Sequence, residues 1–255
     1  TPDEKESRSR VGSPITLTVH DKGLSTIIDW RDKDAYGKKL TPSKRAQIYR
    51  LRKWQTRSRV YSSIERNLAV AMAELDRLAS QLGVPKNVQE DAAMIYRKTI
   101  EQRLIRGRSI EAMIAAAVYA ACRLRKVPRT LIEIASQSRV NRKELGRCYR
   151  LILRKLSLKI PIANPIDFIP KFGQELKLSG KTLEKAIEIL QEAKKARITA
   201  GKDPTGLAAA AIYIAGLLTG EKRTQREIAE VAHVTEVTVR NRYKELVKRL
   251  KISLT

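Results

Sequence analysis

The chain is short of the residues that build enzyme centres or crosslinked folds. Its 255 residues include two cysteines and two histidines. Cys122 and Cys148 are far apart, with no C-x-x-C pair, and each lies in an apolar helix-like stretch, AACRL and GRCYR. Such thiols read as buried free cysteines in a reducing compartment, not as a disulfide framework or a zinc site. His20 and His233 are isolated, and no carboxylate pair stands out from a solvated helix face. That argues against acid–base chemistry and against an enzyme. Gly180-Lys181-Thr182 resembles the end of a phosphate-binding loop, but the position that should carry its first glycine, at Glu175-Leu176, is not glycine, so it reads as a helix cap. No apolar run approaches the length of a membrane span, and no segment has the plan of a signal peptide. The first residue is Thr1 and not Met, so removal of an N-terminal piece is expected.

Negative charge is also scarce. Fifty-two Lys and Arg face 27 Asp and Glu, a formal net charge of +25. A charge of that size must be used or screened, and its usual partners are nucleic acids and anionic membrane surfaces. Without a membrane signal, nucleic acid is the expected partner. The imbalance is sharpest over residues 38–59, KKLTPSKRAQIYRLRKWQTRSR, with nine basic residues and no acid. Thr41-Pro42-Ser43 is a helix-start signal. Tyr49 and Trp54 interleave with Arg50, Arg52 and Lys53, a pattern suited to nucleic acid or an acidic protein surface. Residues 1–36 are poor in pattern. TPDEKESRSR is polar and charged, and VGSPITLTVHDKGLSTIIDW alternates weakly through Ile15, Leu17 and Val19. This stretch reads as an extended arm.

From residue 61 onward the apolar residues follow a helical period. Ile64, Leu68, Ala71, Leu75, Leu78 and Leu82 form one face, and Gly83-Val84-Pro85 stops the helix. A second helix opens at Asn87, with Val88, Ala92, Ile95 and Thr99 inward, and is expected to end at Gly107. Ser109 caps a third, IEAMIAAAVYAACRL, apolar nearly all round and therefore central. Thr130 caps a short fourth, and Asn141 a fifth that runs to about Leu156. Pro161, Pro165 and Pro170 punctuate a linker. The pattern then recurs 94 residues later without a gap: Gly107 meets Gly201, Ala115–Ala117 meet Ala209–Ala211, Tyr119 meets Tyr213, Glu133-Ile134-Ala135 meet Glu227-Ile228-Ala229, and Tyr149 meets Tyr243. A period that long suits two whole helical domains and not a solenoid unit. The fold class is all-α. The expected domains are an arm over 1–36, a basic linker helix over 37–59, and five-helix repeats over 60–158 and 159–255.

The last two helices of each repeat have the pattern of a helix-turn-helix, whose second helix enters a DNA major groove. In the first, Leu145, Tyr149, Ile152 and Leu156 face the core, and Lys143, Arg147, Arg150 and Arg154 line the opposite face. In the second, Val239, Tyr243, Leu246 and Leu250 face inward, and Val237, Asn241, Lys244 and Lys248 outward, with Arg240 beside them. An all-cationic stripe fits phosphates, which carry no sequence information. An outward valine fits a thymine methyl, and an arginine fits guanine. Thr224, Gln225 and Arg226 at the preceding helix start are placed to fix a phosphate. The turn glycine usual in this motif is replaced by His233, and by Arg139 in the first repeat.

AAAAIYIA, GEKRTQREIAEVA and VTEVTVRNRYKEL, with VPRTLIEIA and NRKELGRCYRLIL in the first repeat, resemble the core of the transcription factor IIB family, closest to its archaeal version. SRVGSP, HDKGLST, YGKKLTPSKRAQIYRLRKWQ and RLASQLGVPKNV extend the resemblance over nearly the whole chain. It implies a tandem pair of cyclin-like five-helix domains after an extended basic arm. It also implies a general initiation factor, partnered by promoter DNA, the TATA-binding protein and RNA polymerase, monomeric outside that complex and located in the cytoplasm of an archaeal cell. By position, Val237 and Arg240 match base-contacting residues, and Thr224, Arg226 and Lys244 match neighbouring DNA contacts. Gly107, Arg108, Arg123 and Arg142 match positions near the TATA-binding protein, and Lys143 and Arg147 positions near the DNA backbone. Ser9 to about Asp34 resembles an element that enters the polymerase cleft, and Lys38–Arg59 one associated with strand opening. Arg8, Arg10, Arg50, Arg52, Lys53 and Trp54 are the expected polymerase or template contacts. The family's zinc sits in an N-terminal ribbon that this sequence does not contain, so no cofactor is expected here. The alternatives are a cyclin-type protein-interaction module and a stand-alone helix-turn-helix regulator.

Overall fold

Helical periodicity governs the fold from residue 42 onward. The structure, a computed structural model, describes residues 15–22, 28–34, 36–58 and 63–251. The helices are α1 (Pro42–Ser58), α2 (Ser63–Leu82), α3 (Lys86–Glu101), α4 (Ile110–Leu124), α5 (Leu131–Gln137), α6 (Arg142–Lys155), α7 (Ile169–Glu175, after a 3-10 turn over Pro165–Phe168), α8 (Gly180–Lys195), α9 (Pro204–Thr219), α10 (Gln225–Ala232) and α11 (Glu236–Leu250). Among the described residues the only extended pairing is an isolated bridge between Lys33 and Lys39. The protein is all-α.

Two compact units form. The first comprises the described residues up to Ala121 with Glu133–Leu158, and the second comprises Cys122–Ile132 with the described residues from Lys159. In the first, Leu68, Ala71, Leu75, Leu78 and Leu82 of α2 are buried, as are Val88, Ala92, Ile95 and Thr99 of α3. Each large apolar side chain so buried contributes about 1.5–3 kcal/mol. α4 is enclosed by its neighbours, with Ala112 through Val118 at most 1% exposed. Its start is capped by Ser109, whose Oγ accepts from the Ala112 amide. Asn141 caps α6 by accepting from the Lys143 amide.

Helices α3, α4, α5 and α6 each begin 94 residues before α8, α9, α10 and α11. Left-handed residues outside the helices repeat at the same interval: Gly83 with Lys177, Arg103 with Arg197, Gly107 with Gly201, Lys126 with Gly220, and Ser157 with Lys251. A tyrosine pair repeats as well. Tyr119 meets Tyr149 edge-on at 4.7 Å, and Tyr213 meets Tyr243 at 5.0 Å. α9 is the axis of the second unit, buried from Leu207 to Ile212 and again at Ile214 and Ala215.

Three sequence expectations are corrected. Ile64 is 54% exposed, because it lies in the first turn of α2, before that helix reaches the core at Leu68. α3 starts at Lys86 with Pro85 as its N-cap, one residue before Asn87. It ends at Glu101 and not at Gly107, because Arg103 takes the left-handed conformation and its amide bonds back to Ile100. Glycine is the usual residue for that conformation, so an arginine there gives no stop signal. Cys122 and Cys148 are buried free thiols, as the sequence implies.

Candidate nucleic-acid interface

Helices α10 and α11 together build one outer surface. Thr224 caps α10 in a reciprocal box: its Oγ1 accepts from the Glu227 amide, and its own amide donates to Glu227 Oε2. His233 then adopts φ 52° and ψ 40°, the left-handed cap where glycine is usual, and its amide satisfies the end of α10. Arg139, 94 residues earlier, is not among the left-handed positions. Thr235 caps α11 by accepting from the Thr238 amide. Val239 and Leu246 are fully buried, and Tyr243 and Leu250 pack at the edge of the same core.

The opposite face of α11 carries Val237, Asn241, Lys244 and Lys248, all exposed. Val237 is 60% exposed. Arg240 is also exposed, yet it is held from two sides. Its Nη2 donates to Glu236 Oε1 at 2.7 Å, and its Nε to Gln225 Oε1 at 3.4 Å. Gln225 therefore belongs to the Arg240 arrangement. Arg226 pairs with Glu230 at 3.3 Å, 82% exposed. Within the capping box, the Thr224 hydroxyl keeps its own hydrogen as a donor. α11 is tied to the loop before α9 through Glu245, which accepts from Lys202 Nζ and from Arg242 Nη1. These bonds, Lys202 first, hold the Glu245 carboxyl below its ordinary range.

The first repeat has a different outer face. Lys143, Arg147, Arg150 and Arg154 of α6 are exposed. Arg147, Arg150 and Arg154 line a concavity of about 500 Å³ with Gly107, Arg108, Ser109, Glu144, Cys148 and Leu151. Four arginines and one glutamate line it, and Ser109 Oγ donates to the Glu144 carboxylate at 2.9 Å. Gly107, Arg108 and Arg147 are thus brought together. Arg123 is engaged elsewhere, donating to the Pro161 carbonyl at 2.9 Å. Arg142 is exposed on the first turn of α6. In the 94-residue register, Lys143 stands for Val237, Gly146 for Arg240 and Arg142 for Glu236. Gly146 is buried. The first repeat has no counterpart of the α11 valine and arginine.

The arm shows two anchors that sequence reasoning missed. Arg97 of α3 donates to the carbonyls of Leu17, Val19 and His20, and residues 16–22 curl around its guanidinium. A bond from the Thr16 amide to the Lys22 carbonyl closes that turn. Arg52 of α1 donates to the carbonyls of Asp29 and Arg31 and to Asp32 Oδ1, and Gln55 Oε1 accepts from the Ile28 amide. Arg52 therefore holds residues 28–32 to α1. Arg50, Lys53 and Trp54 remain exposed, with Arg57 stacked 5.6 Å from the Trp54 ring. Arg8 and Arg10 lie outside the described residues. Interactions between arginines and distant carbonyls leave no periodic trace in sequence. Among the described residues no cluster of His, Cys, Asp and Glu is placed to hold a metal, and no helix is long and apolar enough to cross a membrane.

The family described as Transcription factor TFIIB repeat matches residues 64–155 and again 158–249. The chain belongs to the TFIIB family. Each of the two matches corresponds to one of the cyclin-like repeats, and together they cover most of the chain from α2 onward. The chain is 61% identical to a transcription initiation factor IIB of Methanococcus maripaludis over 99% of its own length and 75% of that protein. It is 60% identical to the factor of the same name in Archaeoglobus fulgidus, over 99% and 77%. For the one in Sulfurisphaera tokodaii the identity is 58%, over 100% and 82%. The TFIIB family is one of transcription initiation factors and not a class of enzymes.

Proposed function

We propose that this chain acts as a general transcription initiation factor. It binds promoter DNA together with the TATA-binding protein, reads an element upstream of the TATA box and orients RNA polymerase. One observation carries the reading: an exposed valine beside a prepositioned arginine on the first turns of α11. A solvated surface gains nothing from Val237, whereas a thymine methyl in the major groove gives it a partner, and Arg240 retains enough donors for the O6 and N7 of guanine. Lys244 and Arg226 meet flanking phosphates.

The first repeat is the sequence-neutral clamp. Lys143 and Arg147 meet the DNA backbone, while the concavity at Gly107 and Arg108 meets an acidic surface of the TATA-binding protein. Arg123 and Arg142 belong to the same partner's side. Counterion release makes such contacts strong and salt-sensitive without making them selective. Arg50, Lys53 and Trp54 of α1 face polymerase or the opened template, in the cytoplasm of an archaeal cell.

A gel-shift assay on a TATA promoter, with and without TATA-binding protein, tests the reading. A complex that forms only with that protein, and more tightly on an intact upstream element than on a scrambled one, supports it. Tight binding that is unchanged by the TATA-binding protein supports a stand-alone regulator. No DNA complex under either condition supports a cyclin-type protein-interaction module.

A further inference from the structure

The arginine on the reading helix is paired with an acid from its own first turn. Glu236 Oε1 accepts from Arg240 Nη2 at 2.7 Å, one helical turn apart, with both side chains about half exposed. Gln225 Oε1 of α10 accepts from Arg240 Nε. A guanidinium has five N–H donors, so three remain for DNA. The register shows that this is specific to one helix, since the first repeat has Arg142 and Gly146 at the two positions.

A surface ion pair of this kind adds little to folding stability. Its effect on DNA binding is larger. An unpaired arginine on a groove-facing helix attracts any phosphate and so raises affinity for every sequence alike. A carboxylate beside it cancels that attraction and repels a phosphate that comes close. It does not oppose a guanine edge, which is neutral and supplies two acceptors in the plane of the guanidinium. We infer that Glu236 is a specificity-determining positioning residue: its carboxylate aims the Arg240 guanidinium and suppresses its attraction to phosphate, so that the arginine binds productively only where a guanine edge is presented. This inference rests on the reading of α11 as the sequence-reading helix.

The test uses the full chain with TATA-binding protein on fluorescent promoter duplexes, with the upstream element intact or scrambled, over a range of salt. E236Q is expected to bind the scrambled duplex about two- to fivefold more tightly. The intact duplex should gain less, so discrimination falls. The salt slope on the scrambled duplex should steepen by about one unit. E236D keeps the charge and should keep the wild-type slope. Adding R240A to E236Q should return the slope to that of R240A alone. A purely structural role predicts equal weakening on both duplexes with no change of slope, and that result overturns the inference. If R240A removes discrimination while E236Q matches wild type in ratio and slope, Glu236 has no such role. If R240A itself leaves discrimination intact, the reading of α11 fails, and the inference with it. Thermal melting of each variant separates these outcomes from misfolding.

Discussion

Gly206 of α9 lies so close to Thr238 of α11 that a Cβ at position 206 would stand 3.1 Å from Thr238 Cγ2. Helix α11 is seated on the axis of its domain through this contact, one residue from Val237. Gly206→Ala should therefore push the start of α11 outward and destabilise the fold by about 1–3 kcal/mol, the usual range for overpacking. Thr238→Ser removes the opposing methyl and keeps the hydroxyl that faces Thr235. The double variant should recover most of the lost melting temperature and most of the preference for the intact element. No recovery in the double variant would show that the close approach is not what seats α11.

Arg52 should behave as the clasp of the arm. Arg52→Ala removes bonds to Asp29, Arg31 and Asp32. Hydrogen exchange at the Ile28 and Leu40 amides should speed up by tenfold or more, since each neutral or charged bond lost is worth about 0.5–3 kcal/mol. Melting of the helical repeats should not change. Arg52→Lys should fail to rescue, because an ammonium cannot reproduce three bonds from one planar group. Unchanged exchange in Arg52→Ala would contradict the clasp.

Arg97 should hold the turn over residues 16–22 in the same way. In Arg97→Ala the Thr16 and Lys22 amides, both bonded within that turn, should exchange at rates near those of an unstructured chain. Formation of the DNA complex with TATA-binding protein should be unaffected, whereas promoter opening by polymerase should fall. Protected Thr16 and Lys22 amides in the variant would show that the turn holds without Arg97.

Glu245 links stability to acid. Lys202 and then Arg242 lower its carboxyl below the ordinary 4.5. A depressed carboxyl contributes stability that is present above its unfolded value and lost as pH falls through the folded one. The melting temperature of Glu245→Gln should therefore lie below wild type at neutral pH, and the gap should close below about pH 4.5. A gap that stays constant from neutral pH to pH 3 would show that charge at Glu245 contributes nothing.

Much of this was legible in the sequence, for physical reasons that can be named. The burial of Leu145 and Ile152, and of Val239 and Leu246, follows from helical spacing, and so does the exposure of the faces opposite them. The 94-residue register survives even where residues change, because Lys126 and Gly220, and Ser157 and Lys251, take the same left-handed turn after their helices. The ends of α3 and the burial of Ile64 were misread: a left-handed arginine carries no glycine signal, and periodicity does not say where a helix meets its neighbours. The roles of Arg97, Arg52 and Gln225 were out of reach, because each depends on a partner that the fold, and not the spacing, brings near. Glu236 had a visible spacing to Arg240, but only the positions of Gln225 and Arg142 distinguish it from an ordinary helix pair.

The central claim is that the two repeats divide the work: α11 selects sequence and α6 supplies unselective grip. Competition binding of the complex with TATA-binding protein, on promoters with the upstream element intact or scrambled, tests this most directly when Val237→Ala/Arg240→Ala is compared with Lys143→Ala/Arg147→Ala. The first pair should reduce the preference for the intact element by tenfold or more, each base contact being worth about 1–3 kcal/mol, and weaken binding to the scrambled promoter far less, through the Glu236 carboxylate left unpaired. The second pair should weaken binding to both promoters equally and flatten the salt slope by about two units. A preference that survives loss of Val237 and Arg240, or falls with loss of Lys143 and Arg147, would contradict that division.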